Sequence, residues 1–153
     1  MQYSQDAMAD VKQRLQSAIG QRGQPFFEPI AADPWVISSL LQKSVRRGET
    51  EIAQRASLTL LNFRGSAIWR RFIVIAFEDV GIGSIDAITT AVVASSDAAF
   101  RKTCGGDVRV AAHLSTILAD APKDRSADFL AEAKDHPDLA DFGLRMSNTR
   151  DHR

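Results

Sequence analysis

Apolar residues in this chain recur every three or four positions, in stretches of about 12–18 residues that end at glycine or proline, and no alternating run persists. That spacing belongs to helices with one buried face, and the missing period-2 pattern argues against a sheet. The first stretch predicts a helix from about Gln5 to Ile19, with Met8, Val11, Leu15, Ala18 and Ile19 inward. Gly20 and Gly23 end it. Residues Gln21 to Ala32 then read as an extended linker that pins Phe26 and Phe27 onto the body.

The second helix opens at Asp33-Pro34. Aspartate is a good N-cap, and proline at the first helical position lacks an N–H that would be unpaired there anyway. Ile37, Leu40, Leu41 and Val45 form its stripe, Arg46 and Arg47 suit the negative end of the dipole, and Gly48 stops it. A third helix spans about Glu49 to Asn62, with Ile52, Ala53, Ala56, Leu60 and Leu61 inward, before a turn at Arg64-Gly65-Ser66. A fourth runs from about Ser66 to Val80 on Ile68, Phe72, Ile75 and Ala76. Phe72 to Ile75 alone would suit a strand, but the flanking charges and the length of the segment favour helix. The fifth follows Ser84, with Ile85, Ile88, Val92 and Val93 inward, and continues to about Arg101 before Gly105-Gly106. The sixth takes Asp107 as N-cap, carries Val110, Ala111, Leu114, Ile117 and Leu118, and ends before Pro122. The seventh covers about Asp124 to Lys134. The expected fold is therefore all-α, a bundle of six or seven helices joined by short loops.

At 153 residues the chain corresponds to about one domain and can bury a core without disulfides or metal. The single Cys104 has no internal partner, which points to a reducing, cytoplasmic setting. The N-terminus shows no apolar leader and no run is long enough to span a membrane, so no membrane partner is expected. The 19 Lys+Arg balance the 19 Asp+Glu, which excludes a globally basic nucleic-acid coat but not a local basic face.

Charge is unevenly placed. Lys43 to Arg71 holds seven cations (Lys43, Arg46, Arg47, Arg55, Arg64, Arg70, Arg71) against two anions, whereas Phe72 to Phe100 holds four anions and no cation. One reading is a solvated helix face. The other is a surface for phosphates or an acidic partner, on which Trp69 would stack on a base unless it is packed inside.

Phosphate-loop motifs are absent: Gly81-Ile82-Gly83 and Gly105-Gly106 lack the lysine and the preceding strand, so no nucleotide cofactor is expected. His113, His136 and His152 lack metal-ligand spacing and read as ordinary surface or packing residues, so no metal is expected either. Cys104 and His113 could meet in space, but the simpler reading is a small half-buried thiol. Glu78-Asp79 ends the fourth helix, where negative charge opposes the dipole by about 0.3–1 kcal/mol. Something must compensate it. Arg46 and Lys123 are the first candidates, because Arg70 and Arg71 lie too far back along the same helix. A structural pair is favoured over an acid/base pair, since no nucleophile or metal ligand is nearby.

Three segments in order carry a family resemblance: SSLLQKSVRRGETEIA (Ser38 to Ala53), WRRFIVIAFEDVGIGSIDAI (Trp69 to Ile88) and LADAPKDRSADFL (Leu118 to Leu130). Together they resemble the C-terminal, clamp-loader-collar-like region of the bacterial replication-associated recombination ATPases and their eukaryotic Werner-helicase-interacting relatives. Leu41, Lys43, Ser44 and Arg46 match the first family motif. Arg70, Arg71, Ala76 and Glu78 to Gly81 match the second, and Ala121, Pro122 and Lys123 the third. Asp124 stands where the family tends to have serine, and the ATPase module is missing. The resemblance implies an N-terminal helix and linker (1–32), a collar-like helical domain (33–140) and a flexible tail (141–153). It implies a non-enzymatic oligomerising or partner-docking module in DNA replication or recombination, self-associating and acting with a separate AAA+ ATPase or replication protein. Lys43, Arg46, Arg47, Arg70, Arg71 and Lys123 are the candidate DNA- or partner-binding residues. The alternatives are weak direct DNA binding through those cations, or a small helical ligand-binding protein or enzyme whose pocket carries no motif.

Overall fold

The computed structural model describes residues 2–133, and within them the chain is all-α. Eight α-helices occur among the described residues: α1 (Gln2–Gly20), α2 (Pro34–Arg47), α3 (Thr50–Arg64), α4 (Ala67–Ile75), α5 (Ile85–Ser96), α6 (Ala98–Thr103), α7 (Asp107–Asp120) and α8 (Ser126–Ala133). A π-helical turn (Ala76–Val80) and a 3-10 turn (Gly81–Gly83) follow α4. The periodicity counts seven because it runs the fifth helix to Arg101. The chain instead breaks at Asp97, which leaves the helical region (φ −124°, ψ 95°) and caps α6 by accepting from the Phe100 N–H at 2.8 Å. The expected tail at 141–153 and the end of the seventh segment at Lys134 lie outside the described residues.

The cap chemistry of α2 is as expected. Asp33 accepts from the Trp35 N–H at 2.8 Å, and Gly48 closes the far end at φ +72°. That left-handed glycine turns the chain back, so α3 runs antiparallel to α2. The pairing is closed at the other end by Arg64, whose guanidinium sits 4.5 Å over the Trp35 ring. At α7 the reading shifts by one residue: Gly106 is the capping position, and Asp107 is the first helical residue.

Helix α3 is the centre of the body, packed between α2 and α7. Its run Ala56–Leu61 is buried throughout. Polar members of that run are matched across the interface: the Ser57 and Ser115 hydroxyls lie 2.7 Å apart, and Gln54 Nε2 donates to Thr116 Oγ1 at 2.7 Å. Helix α4 packs on α5, inserting Ile68, Phe72 and Ile75 fully into the core. Burying Phe72 alone contributes about 1.5–3 kcal/mol. Helix α1 lies over α5 and α7 through Val11, Leu15 and Ile19. It is also clamped by Lys12–Asp97 at 2.7 Å and Arg14–Asp86 at 2.8 Å.

Arg101 on α6 is the least expected core residue. Only 5% exposed, it donates to the Ala94 and Ser95 carbonyls at the end of α5, pairs with Asp107 at 2.8 Å, and stacks 4.1 Å over Trp69. Trp69 is therefore packed inside and not offered to a base. Three expected inward residues face outward: Met8, Ile52 and Ile85 are all exposed, and Phe26 is almost wholly so, while Phe27 alone of the pair packs on the body.

Candidate functional site

The expected 15-residue fourth helix stops being α-helical at Ile75. Gly81 adopts φ +52°, ψ −143°, which no regular helix continues, and its N–H closes onto the Ala76 carbonyl five residues back. The cause lies across the gap. A Cβ on Gly81 would sit 2.3 Å from the Asp124 carbonyl oxygen, and one on Gly83 would sit 2.6 Å from that of Pro122. Only a side chain without Cβ lets the 122–124 segment approach this closely. The Asp124 N–H seals the contact by donating to the Val80 carbonyl at 3.0 Å. The Gly-Ile-Gly sequence is thus a packing device.

The π-helical turn carries Glu78 and Asp79 to different places. Asp79 is fully buried. Its Oδ1 accepts from Arg46 Nε at 2.6 Å, and Arg125 Nε stands 3.6 Å away, an ionic contact without hydrogen-bond geometry. Its Oδ2 has no hydrogen-bond partner. One carboxylate therefore ties together α2, the π-helical turn and the segment leading into α8. Glu78 is exposed, and its Oε2 accepts from Gln42 Nε2 at 2.9 Å. Gln42 Oε1 in turn accepts from Arg71 Nη2 at 2.6 Å. Gln42 and Arg46 are one turn apart on α2, which is the spacing needed to meet both acids.

The six candidate cations divide into two sets. Arg46, Arg71 and Lys123 are engaged within the fold. Arg46 was expected to be exposed, and it is not free: its Nε is held by Asp79. Arg71 serves Gln42, while its own Nε is buried without a partner. Lys123 Nζ donates to the Ala119 carbonyl at 2.8 Å and also to that of Ala121, so it caps the C-terminal end of α7. Burial pushes the Lys123 pKa down, with Asp120 and Asp79 partly opposing. Lys43, Arg47 and Arg70 form the second set: they are exposed and have no carboxylate partner among the described residues. Lys43 and Arg47 are also one turn apart on α2, so they share a strip beside the Gln42–Arg46 edge.

Arg125 and Gln42 were missed by sequence reasoning. The available signal was the uncompensated acidic pair at a helix C-terminus, which calls for more than one donor, and an Ala-Pro-Lys-Asp-Arg segment with two cations to supply one. Chemically, a buried carboxylate held by two guanidinium groups is a strut. No nucleophile contacts it, and no cluster of three His, Cys, Asp or Glu residues suited to a metal occurs among the described residues. Cys104 is buried, and desolvation pushes its thiol pKa up, away from the reactive thiolate.

Around this strut the surface is apolar. Phe77, Ile82 and Ile85 are 52%, 74% and 61% exposed, and Phe129 and Leu130 on α8 are exposed as well. No helix among the described residues is long and apolar enough to cross a membrane. No protein-family model matches the chain, and no curated protein is significantly similar to it in sequence.

Proposed function

We propose that this chain is a non-enzymatic module that self-associates and docks a partner in DNA replication or recombination, with the π-helical turn as its assembly surface. The observation that carries the reading is the exposed trio Phe77, Ile82 and Ile85, held on a turn whose backbone is fixed from behind by Asp79 and Arg46. Exposed aromatic and aliphatic anchors on a preorganised backbone are what a protein interface uses to gain affinity, because little ordering entropy remains to be lost on association. The resemblance to the collar-like region of replication-associated recombination ATPases supports a second copy of this chain as the first occupant. A separate AAA+ ATPase acting in trans is the further partner that resemblance suggests.

Light scattering of the full chain at micromolar concentration tests it. The parent is expected at a multiple of 16.8 kDa, and Phe77→Ser/Ile82→Ser at the monomer mass with an unchanged far-ultraviolet spectrum. A parent that stays monomeric at about 100 µM, where most specific interfaces are occupied, overturns the assembly reading.

Direct, weak DNA binding is a second reading, and one observation favours it: Lys43, Arg47 and Arg70 are exposed and unpaired among the described residues. Labelled duplex should then bind with a salt slope that falls by about 0.9 when Arg47→Ala removes one phosphate contact. A slope equal to the parent's removes this reading.

A further inference from the structure

A second feature lies on the opposite side of α3 from α2 and is independent of the assembly reading. Where α1 ends, residues 21–25 cross over α7 and enclose a cleft of about 190 Å³ lined by Arg22, Arg109, His113 and Gln54. Its polar lining is one-sided: two guanidinium groups, an imidazole and an amide, with no carboxylate. Two buried nitrogens there have no partner, His113 Nδ1 and Arg109 Nε. His113 is only 7% exposed, so its Nδ1 has no direct recourse to bulk water. A buried polar atom left without a partner costs about 1–3 kcal/mol, so two in one cleft constitute a standing demand for a ligand that accepts hydrogen bonds.

The cleft is also held in shape. Arg109 Nη2 donates to the Ile19 carbonyl at 2.8 Å and to that of Arg22, fixing the turn that carries Arg22. Arg22 itself makes no side-chain hydrogen bond within the fold among the described residues, and its charge lies close enough to help depress the His113 pKa, after burial. On the other side of the imidazole, the second small cleft presents Arg14 and Asp86, which neutralise each other at 2.8 Å, and the neutral Thr90. The net field at His113 from these neighbours is positive.

We infer that this cleft is a binding site for a small oxyanion, a phosphate or a carboxylate group, held by Arg22, Arg109 and His113. Acceptor-only oxygens suit unpartnered donors, and guanidinium pairs are the protein's usual means of gripping both groups. The volume corresponds to about six waters, which limits the bound portion to an inorganic ion or one end group. Binding places negative charge beside an imidazole now surrounded by positive charge. The expected sign is a rise in the His113 pKa on binding.

The test is a histidine NMR titration of the full chain, with the His113 signal identified by its loss in His113→Gln. It is run in chloride, in inorganic phosphate and in acetate at matched ionic strength. The His113 midpoint is expected to move upward by about half a pH unit or more with the bound anion, a change typical of one new neighbouring charge. The exposed Arg22→Ala variant should lose the response while keeping its fold. A response to phosphate alone assigns a phosphate site, and one to acetate alone a carboxylate site. No movement with either anion overturns the inference. So does an equal movement of the His136 and His152 signals, or an undiminished response in Arg22→Ala.

Discussion

Truncating Arg46 to alanine strands the most deeply buried charge in the protein. Asp79 is fully inaccessible, and its one hydrogen bond comes from Arg46 Nε at 2.6 Å. Removing one partner of a buried ion pair costs about 3–5 kcal/mol, since the survivor keeps its desolvation penalty without its partner. Two features reduce that figure here. Arg125 Nε remains 3.6 Å away, and the Arg46 side chain is 36% exposed, so water enters part of the space it leaves. The expected loss for Arg46→Ala is about 2–3 kcal/mol, or a Tm lower by about 4–12 °C for a domain of this size. Urea unfolding of the full chain followed by circular dichroism measures it. Lys43→Ala, exposed on the same helix, serves as a control expected within about 0.5 kcal/mol of the parent. Asp79→Asn completes a double-mutant cycle. With the charge removed, losing Arg46 should cost less, giving a coupling of about 1.5 kcal/mol. An Arg46→Ala variant as stable as Lys43→Ala, or a strictly additive double mutant, would refute the argument that Asp79 depends on Arg46.

Two more outcomes follow from the packing. Gly81→Ala combines a left-handed φ with a Cβ that would press on the Asp124 carbonyl. It is expected to cost about 2–4 kcal/mol in the same urea assay. Gly23→Ala, which meets nothing within 4 Å, should cost far less, and equal losses would contradict the close-approach account of Gly81. Cys104 is buried with its thiol pKa pushed up, so a thiol reagent should label the native chain at least about tenfold more slowly than the urea-unfolded chain, and equal rates would place the thiol in solvent.

Local signals in the sequence were sufficient wherever one residue decides a local outcome. Asp33-Pro34 and Gly48 bracket α2 because a cap and a left-handed stop act within four residues of themselves. The stripe Ile68, Phe72, Ile75 and Ala76 is fully buried because a strong apolar face has few alternatives. The reading fell short where the deciding partner is distant in sequence. Nothing near Ala76 announces a π-helical turn; it depends on the 122–124 segment, more than 40 residues away, needing the space beside Gly81 and Gly83. Ile85 follows a good helical pattern yet faces outward, because that turn fixes the angle at which α5 begins. Arg101 was invisible for the same reason: a cation enters a core only where a ring and several carbonyls converge, and Trp69, Ala94 and Ser95 come from two other helices. At the site, the need of Glu78 and Asp79 for compensation was legible. The division of the cations into engaged and free sets was not, since periodicity cannot say which of two adjacent arginines faces an acid.

The Gly81 N–H reaching back five residues to Ala76 has a further meaning for the length of the chain itself. A π-helical turn is an α-helix holding one surplus residue, and that residue sets the rotational phase of everything after it. Removing a single residue between Ile75 and Asp79 would let the helix run on regularly. Each residue in an α-helix accounts for about 100° of rotation and 1.5 Å of rise, so the following carboxylate would swing by about 100° relative to α2. Asp79 would then leave Arg46, and the two glycines would no longer meet residues 122–124. Composition, net charge and helical periodicity would be almost unchanged by such a deletion. At this point the fold counts residues as well as reading their chemistry.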